Sequence, residues 1–224
     1  VRVILFETID DLVVRHLQAG PIDWWAAATR APFDRIGFLA AFSGAGRRLG
    51  RGFVDEAAQL PTTLAEQGLL ALGRPWADLG RICMLLSLPA RTPFTELQPL
   101  AAEAYRTGDL AEKQAVLRAL AFLPEPLAFL EIAADGARSN ALAIAEAITC
   151  DNPYPVKYFS EDALNQMTMK ALFNALPLSR IVGLTARMNA DLIRMARDYG
   201  KERRAARRSI SQDLAMLEQE GRAL

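Results

Sequence analysis

The 224 residues carry 26 lysines and arginines against 26 aspartates and glutamates, so the whole molecule exerts no net pull on nucleic acid or anionic lipid. The length suits one large domain or two small ones, and apolar residues, 51 % of the chain, are ample for a core. A single histidine, His16, excludes multi-histidine metal sites, while Cys83 and Cys150 lie outside any CxxC or Cys/His cluster and read as buried thiols in a reduced compartment.

Leu5, Ile9, Leu12, Val13 and Leu17 recur at helical spacing and predict one amphipathic helix over residues 1 to 19, ended by Gly20-Pro21. His16 lies beside Leu12 and Val13 on its apolar side and reads as a partly buried structural imidazole. Asp23 is placed to cap a second short helix whose Trp24 and Trp25 anchor core packing. Pro32 at a first turn opens a third through Phe33, Ile36, Leu39, Ala40 and Phe42, apolar on most sides and therefore expected to be central. Ser43 to Gly52, SGAGRRLGRG, combines glycine amides with arginines that suit an oxyanion, but no strand precedes it and it lacks the GK[ST] ending of a phosphate loop. It reads instead as a helix fraying into a flexible connection, with anion binding as the weaker alternative. Residues 53 to 75, punctuated by Pro61, Gly68, Gly73 and Pro75, are irregular and leave room for a lid.

From Trp76 the pattern is regular. Leu79, Ile82, Cys83 and Leu86 form a helix that stops at Pro89, and Thr92-Pro93 starts another that ends at Thr107-Gly108. Asp109 and Glu112 form a capping box ahead of the stripe Val116, Leu117, Leu120 and Leu123. Glu125-Pro126 begins a pair with Leu127, Leu130 and Ala134 on one helix and Ala141, Ile144, Ala145 and Ile148 on its partner. Helix pairs starting at Pro93, Pro126 and Ser160 are about 33 residues apart, the spacing of stacked helical hairpins. The expected fold is all-α: one domain over 1–224, an irregular helical part over about 1–75, and helix pairs over about 76–218 in a loosely HEAT-like, right-handed array without significant sheet.

The chain is organised around Asp151 to Arg208. Asn152-Pro153-Tyr154-Pro155 is expected to leave the helical path as a rigid bend, because each proline removes a donor and biases its predecessor toward extended backbone. Ser160 then caps a helix with Leu164, Met167 and Ala171 on its apolar side and Gln166, Lys170 and Asn174 on its polar side. Asn165 falls among Leu164, Leu172 and Leu176, where an amide must find partners. Over Ala190 to Arg208, Met195, Ala206, Tyr199, Leu192 and Ala196 form an apolar arc that includes Arg203, opposite a solvated stripe of Arg194, Arg197, Lys201, Arg204 and Arg208. Asn165 and Arg203 thus conflict with their helices' patterns. Bracing the bend is the reading for Asn165, and pairing with a carboxylate for Arg203. Arg194 and Asp198 form an i, i+4 surface pair.

NPYPVKYF, NQMTMKALF and GLTARMNADLIRMARDYGKERRAARRSI resemble the C-terminal hallmark of the EboA family, most strongly over residues 93 to 215. The resemblance implies an all-helical bacterial protein of a secondary-metabolite gene cluster, encoded beside a prenyltransferase, metal hydrolases and a sugar-phosphate cyclase, that helps make or move a metabolite precursor. It carries no catalytic residues across. Nor does the chain hold a GxSxG elbow or a DDxxD motif.

The function expected is a non-catalytic adaptor of that cluster, with neither cofactor nor metal. The alternative is a binder of, or enzyme acting on, a small phosphorylated or isoprenoid metabolite through a polar pocket near the bend. Its candidate residues are Asn152, Tyr154, Tyr158, Asn165, Arg187, Asn189, Asp198, Tyr199 and Arg203, and a polar network that locks two helices to the bend is the competing account of the same set. The partners expected are other proteins of the same gene cluster, then a small metabolite, then weak contact of the basic stripe with a membrane surface. Nucleic acid is not expected. No apolar run approaches the roughly 20 residues of a bilayer span, and the expected location is the cytoplasm.

Overall fold

The computed structural model describes all residues except 19, 56, 57, 59, 60, 67, 70–72 and 221–224. In chain order the α-helices are α1 (Arg2–Leu17), α2 (Ile22–Arg30), α3 (Arg35–Leu49), α4 (Thr62–Glu66), α5 (Trp76–Ser87), α6 (Phe94–Thr107), α7 (Leu110–Ala119), α8 (Leu130–Arg138), α9 (Leu142–Thr149), α10 (Tyr154–Tyr158), α11 (Glu161–Phe173), α12 (Ala190–Ala205) and α13 (Gln212–Glu220). Short 3-10 turns extend or precede several of them. The described residues contain no strand, only an isolated bridge between Phe53 and Pro75, so the fold is all-α.

Every residue of α5 is buried, and the helix is packed by α1, α2 and α3 from the N-terminal part and by α7 from the remainder. The central element is therefore α5 and not α3, whose Ile36 is 78 % exposed. Gly80 permits the close crossing of α5 with α3, because a β-carbon there would run into Leu49 Cδ1 and meet Trp25 at 3.5 Å. Beyond α5 the helices pack in series. α7 lies on α5 and α9 on α7, with α6 against α7 and α8 against α9; α11 touches α8 and α9, and α12 lies between α11 and α13.

Helix starts follow their capping side chains. Asp109 accepts from Glu112 N at 2.8 Å while Glu112 Oε2 accepts from Asp109 N at 2.9 Å, the reciprocal box expected from the sequence. Ser160 caps α11 as expected, and Asn189 caps α12 by accepting from Leu192 N at 3.0 Å. Pro32 does not open α3. Asp34 does, because its carboxylate accepts from Gly37 N at 2.8 Å and so satisfies one of the helix's unpaired amides.

The glycine-rich stretch also departs from expectation. Ser43 to Leu49 is helical, since Phe42, Ala45 and Leu49 extend the buried stripe of α3 and outweigh the glycine cost of roughly 1 kcal/mol each. The connection begins only at Gly50, with φ of 77°. Nor do the prolines of the bend prevent a helix. Pro155 sits in the first turn of α10, where its missing N–H is not needed, and the elbow falls earlier, at Asp151 with φ of 51°. Part of the proposed lid segment, 53 to 75, lies outside the described residues; within it α4 forms one turn.

Candidate functional site

The elbow is held by side chains that serve the unpaired backbone groups at helix ends. Asn152, 1 % exposed, donates from Nδ2 to Leu117 O near the end of α7 (3.0 Å) and to Ala147 O near the end of α9 (2.9 Å). Its Oδ1 accepts from Tyr154 N at 3.0 Å, so one amide joins two helix C-termini and starts a third helix. Tyr154, fully buried, donates its hydroxyl to Pro126 O at 2.6 Å and packs on Tyr158 with ring centroids 4.9 Å apart. Desolvation, with a smaller contribution from Tyr158, pushes the Tyr154 phenol up from its ordinary value, as befits a permanent donor. Arg187 closes the other end of α10 by donating to Val156 O at 2.5 Å and Phe159 O at 3.1 Å.

Asn165 is 3 % exposed, as its position among leucines implies, yet it does not brace the bend directly. It exchanges two hydrogen bonds with Asn189, 3.0 and 3.1 Å, and thereby ties the middle of α11 to the N-cap of α12. Asn152, Tyr154, Tyr158 and Arg187 thus gather about α10, and Asn165 joins them only through Asn189, which also donates to Arg187 O at 3.3 Å.

Asp198, Tyr199 and Arg203 form a separate group on α12. Arg203 does not pair with a carboxylate: it donates to Ser209 O at 2.7 Å and to the Tyr199 hydroxyl at 3.1 Å, with its guanidinium 5.7 Å from that ring. The helix ends at Ala205, so the arginine reaches past the terminus to the returning chain. Arg194 does not pair with Asp198 either. It bonds Asp191 at 3.0 Å, and Asp198 accepts from Lys201 at 2.9 Å; that bond and charge hold the Asp198 carboxyl below its ordinary value.

Sequence reading missed two charge clusters. Arg180 bonds Asp151 Oδ2 (2.5 Å) and Glu146 Oε1 (2.6 Å), fastening the 3-10 turn Leu178–Arg180 to the elbow, and the Asp151 bond is the main reason its guanidinium is held more firmly protonated than usual. The second cluster is deeper. Arg118 Nη1 bonds both oxygens of Asp78 at 2.9 and 3.0 Å, and Arg74 approaches the same carboxylate at 3.6 Å. Desolvation and then the charge of Arg118 lower the Arg74 pKa to about 10. Arg81, with a side chain 5 % exposed, donates from Nε to Phe42 O at 2.9 Å and has Glu112 at 4.0 Å. A cavity of about 750 Å³ opens beside this cluster between α3, α5 and α7. The signal was present: Asp78 and Arg81 are charges inside the otherwise apolar α5, the same conflict of polarity that marked Asn165.

Other reactive groups are occupied structurally. His16 Nε2 lies 2.9 Å from Leu49 O and its ring stacks on Trp76 at 4.0 Å. Both thiols are buried, and desolvation raises both, Cys150 to about 11.

An all-α framework of successively packed helices, with polar side chains that knit helix ends together, defines the class of protein. Residues 9–218 match the family model described as metabolite traffic protein EboA, and the chain belongs to that family. The match takes in the N-terminal helices as well as the region after Pro93 where the motifs are strongest. No curated protein and no solved structure matches the chain.

Proposed function

We propose that this protein is a non-catalytic helical adaptor that acts in the cytoplasm, gathering proteins of a bacterial secondary-metabolite gene cluster so that a metabolite precursor is made or moved. The observation that carries this reading is how Asn152, Arg187, Asn165 and Asn189 are used: their amides and guanidinium are spent on helix ends and on each other. The family's description, metabolite traffic, fits the same reading. The bend residues Asn152, Tyr154, Tyr158, Asn165, Arg187 and Asn189 set the shape of a contact surface. In this reading the partner contacts the exposed Asp198 together with the half-buried Tyr199 and Arg203, which pack against Phe173 and the returning Ser209. Arg194, Lys201 and Arg204 are paired with Asp191, Asp198 and Glu218, which favours a protein partner over a membrane for this stripe.

Tagged chain co-expressed with each product of its own gene cluster tests the proposal. At least one product is expected to co-purify in a fixed ratio and to stay bound through size exclusion, and Tyr199→Ala with Arg203→Ala should weaken that association. Failure of every co-encoded product to associate would remove the adaptor reading.

A further inference from the structure

The cavity between α3, α5 and α7 is lined by Arg47 and Arg51 from α3 and the turn after it, by Arg81 from α5 and by Arg118 from α7. The carboxylates that line it are Asp78 and Asp109. Both are engaged: Asp78 by Arg118 through two bonds, and Asp109 as the cap that accepts from Glu112 N. Glu112 stands close behind, but its Oε2 is held by Asp109 N, and its Oε1 is 4.0 Å from Arg81, beyond hydrogen-bonding distance. Arg81 is therefore a side chain more than nine-tenths buried whose Nε is satisfied and whose two terminal nitrogens make no hydrogen bond to the described protein. Its charge is balanced by Glu112 at 4.0 Å and its guanidinium lies over the Phe42 ring, so what the two terminal nitrogens keep is donor capacity for an acceptor in the cavity. Space has been kept for that acceptor. Gly46 on α3 faces Arg81 without a side chain, and even a β-carbon there would sit 3.9 Å from Nη2.

The donors converge from three elements. A carboxylate offers its acceptor lone pairs in one plane, whereas a phosphate presents acceptor oxygens in several directions at once. The volume, about 750 Å³, exceeds what inorganic phosphate needs and lies in the range of small-metabolite pockets. We propose that this cavity binds a phosphate-bearing small metabolite, with Arg81 as its anchor, Arg118 beside it, and Arg47 and Arg51 at the mouth. The site is distinct from the elbow, and it does not depend on the adaptor reading: a phosphate site stands or falls whether or not a partner protein is found.

Calorimetric titration of the full chain at constant ionic strength tests it, with pyrophosphate and glycerol 3-phosphate as ligands and glycerol and acetate as comparators. Saturable binding of the two phosphates is expected, none of glycerol, and weaker binding of acetate. Arg81→Gln should weaken phosphate binding about ten- to a hundred-fold, the loss of one or two charged hydrogen bonds. Because Arg81 also holds Phe42 O, the double variant Arg47→Ser, Arg51→Ser, whose residues are exposed, serves as the variant that keeps the fold; it should bind several-fold more weakly. Vesicles of phosphatidylcholine with phosphatidic acid separate the sources: retention that depends on Arg81 assigns the phosphate to a lipid headgroup, and binding of soluble phosphates alone assigns it to a free metabolite. Absence of saturable binding by soluble phosphates and vesicles alike overturns the proposal, as does wild-type affinity in both variants.

Discussion

Asn152 supplies from one amide what the ends of α7 and α9 would otherwise need from water, and it does so where water has no access. Asn152→Ala leaves Leu117 O, Ala147 O and Tyr154 N without this partner, which should cost about 3 kcal/mol, read as a lower midpoint in urea at unchanged slope. Asn165→Ala should cost less, roughly 1 to 2 kcal/mol, because Asn189 keeps its bonds to Leu192 N and Arg187 O. Reversal of that order would mean that the α11–α12 pair, not the elbow, carries the network. Only some of this was legible in the sequence. A polar residue inside an apolar arc marks burial correctly for Asn165, since the middle of a helix has neighbours along its whole face. The same test misplaces Arg203, because α12 stops two residues later and its side chain meets the returning Ser209. Direction around a helix follows from the sequence; what lies beyond its end does not.

Elements were more legible than residues wherever a capping side chain and an apolar stripe agreed, as at Asp109, Ser160 and the run from Leu79 to Leu86. Where prolines and stripes competed, the stripe and a nearby carboxylate set the boundary, which is why α3 starts at Arg35 and runs through its glycines. The identity of the central helix was not legible, because burial all around α5 depends on four other helices closing over it. Two glycines test that packing in opposite senses. Gly80→Ala gains about 1 kcal/mol of helix propensity but drives a methyl into Leu49, which is 2 % exposed and has nowhere to go, so a net loss of about 1 to 2 kcal/mol is expected. Gly46→Ala meets only Arg81 Nη2 at 3.9 Å and should be neutral or stabilising by up to about 1 kcal/mol. Thermal unfolding of the two variants beside the parent decides it, and equal shifts would refute the close α3–α5 crossing. Asp78→Asn carries the test to the charges between α5 and α7: with Arg118 and Arg74 deprived of their shared carboxylate, a loss of about 3 to 5 kcal/mol is expected in the same measurement.

The whole molecule is neutral, so its response to pH comes from groups whose surroundings hold them away from their ordinary values, and on the alkaline side these act mostly in one direction. Burial raises both thiols, Cys150 from 9.0 to about 11, and raises Tyr105 and Tyr154 from 10.0; a hydrogen bond to Asp135 adds to the effect at Tyr105. Each stays protonated in the native state at pH values where the unfolded chain has already lost the proton. For such groups the stabilising contribution is complete below the unfolded pKa and is lost as pH rises toward the folded one, so stability should fall from about pH 9 upward. Arg74 opposes this only above about pH 10, where its native form gives up a proton that the unfolded chain retains, and Arg91, lowered by desolvation, acts in the same sense; these are two groups against four. Urea midpoints measured from pH 7.5 to 10.5 should therefore be level at first and then decline. Replacing Cys83 and Cys150 together with alanine should lower the plateau slightly and move the onset of the decline from about pH 9 to about pH 10, where the tyrosines alone act. If the onset stays at pH 9 in that variant, the buried thiols are not what sets the alkaline limit of this fold.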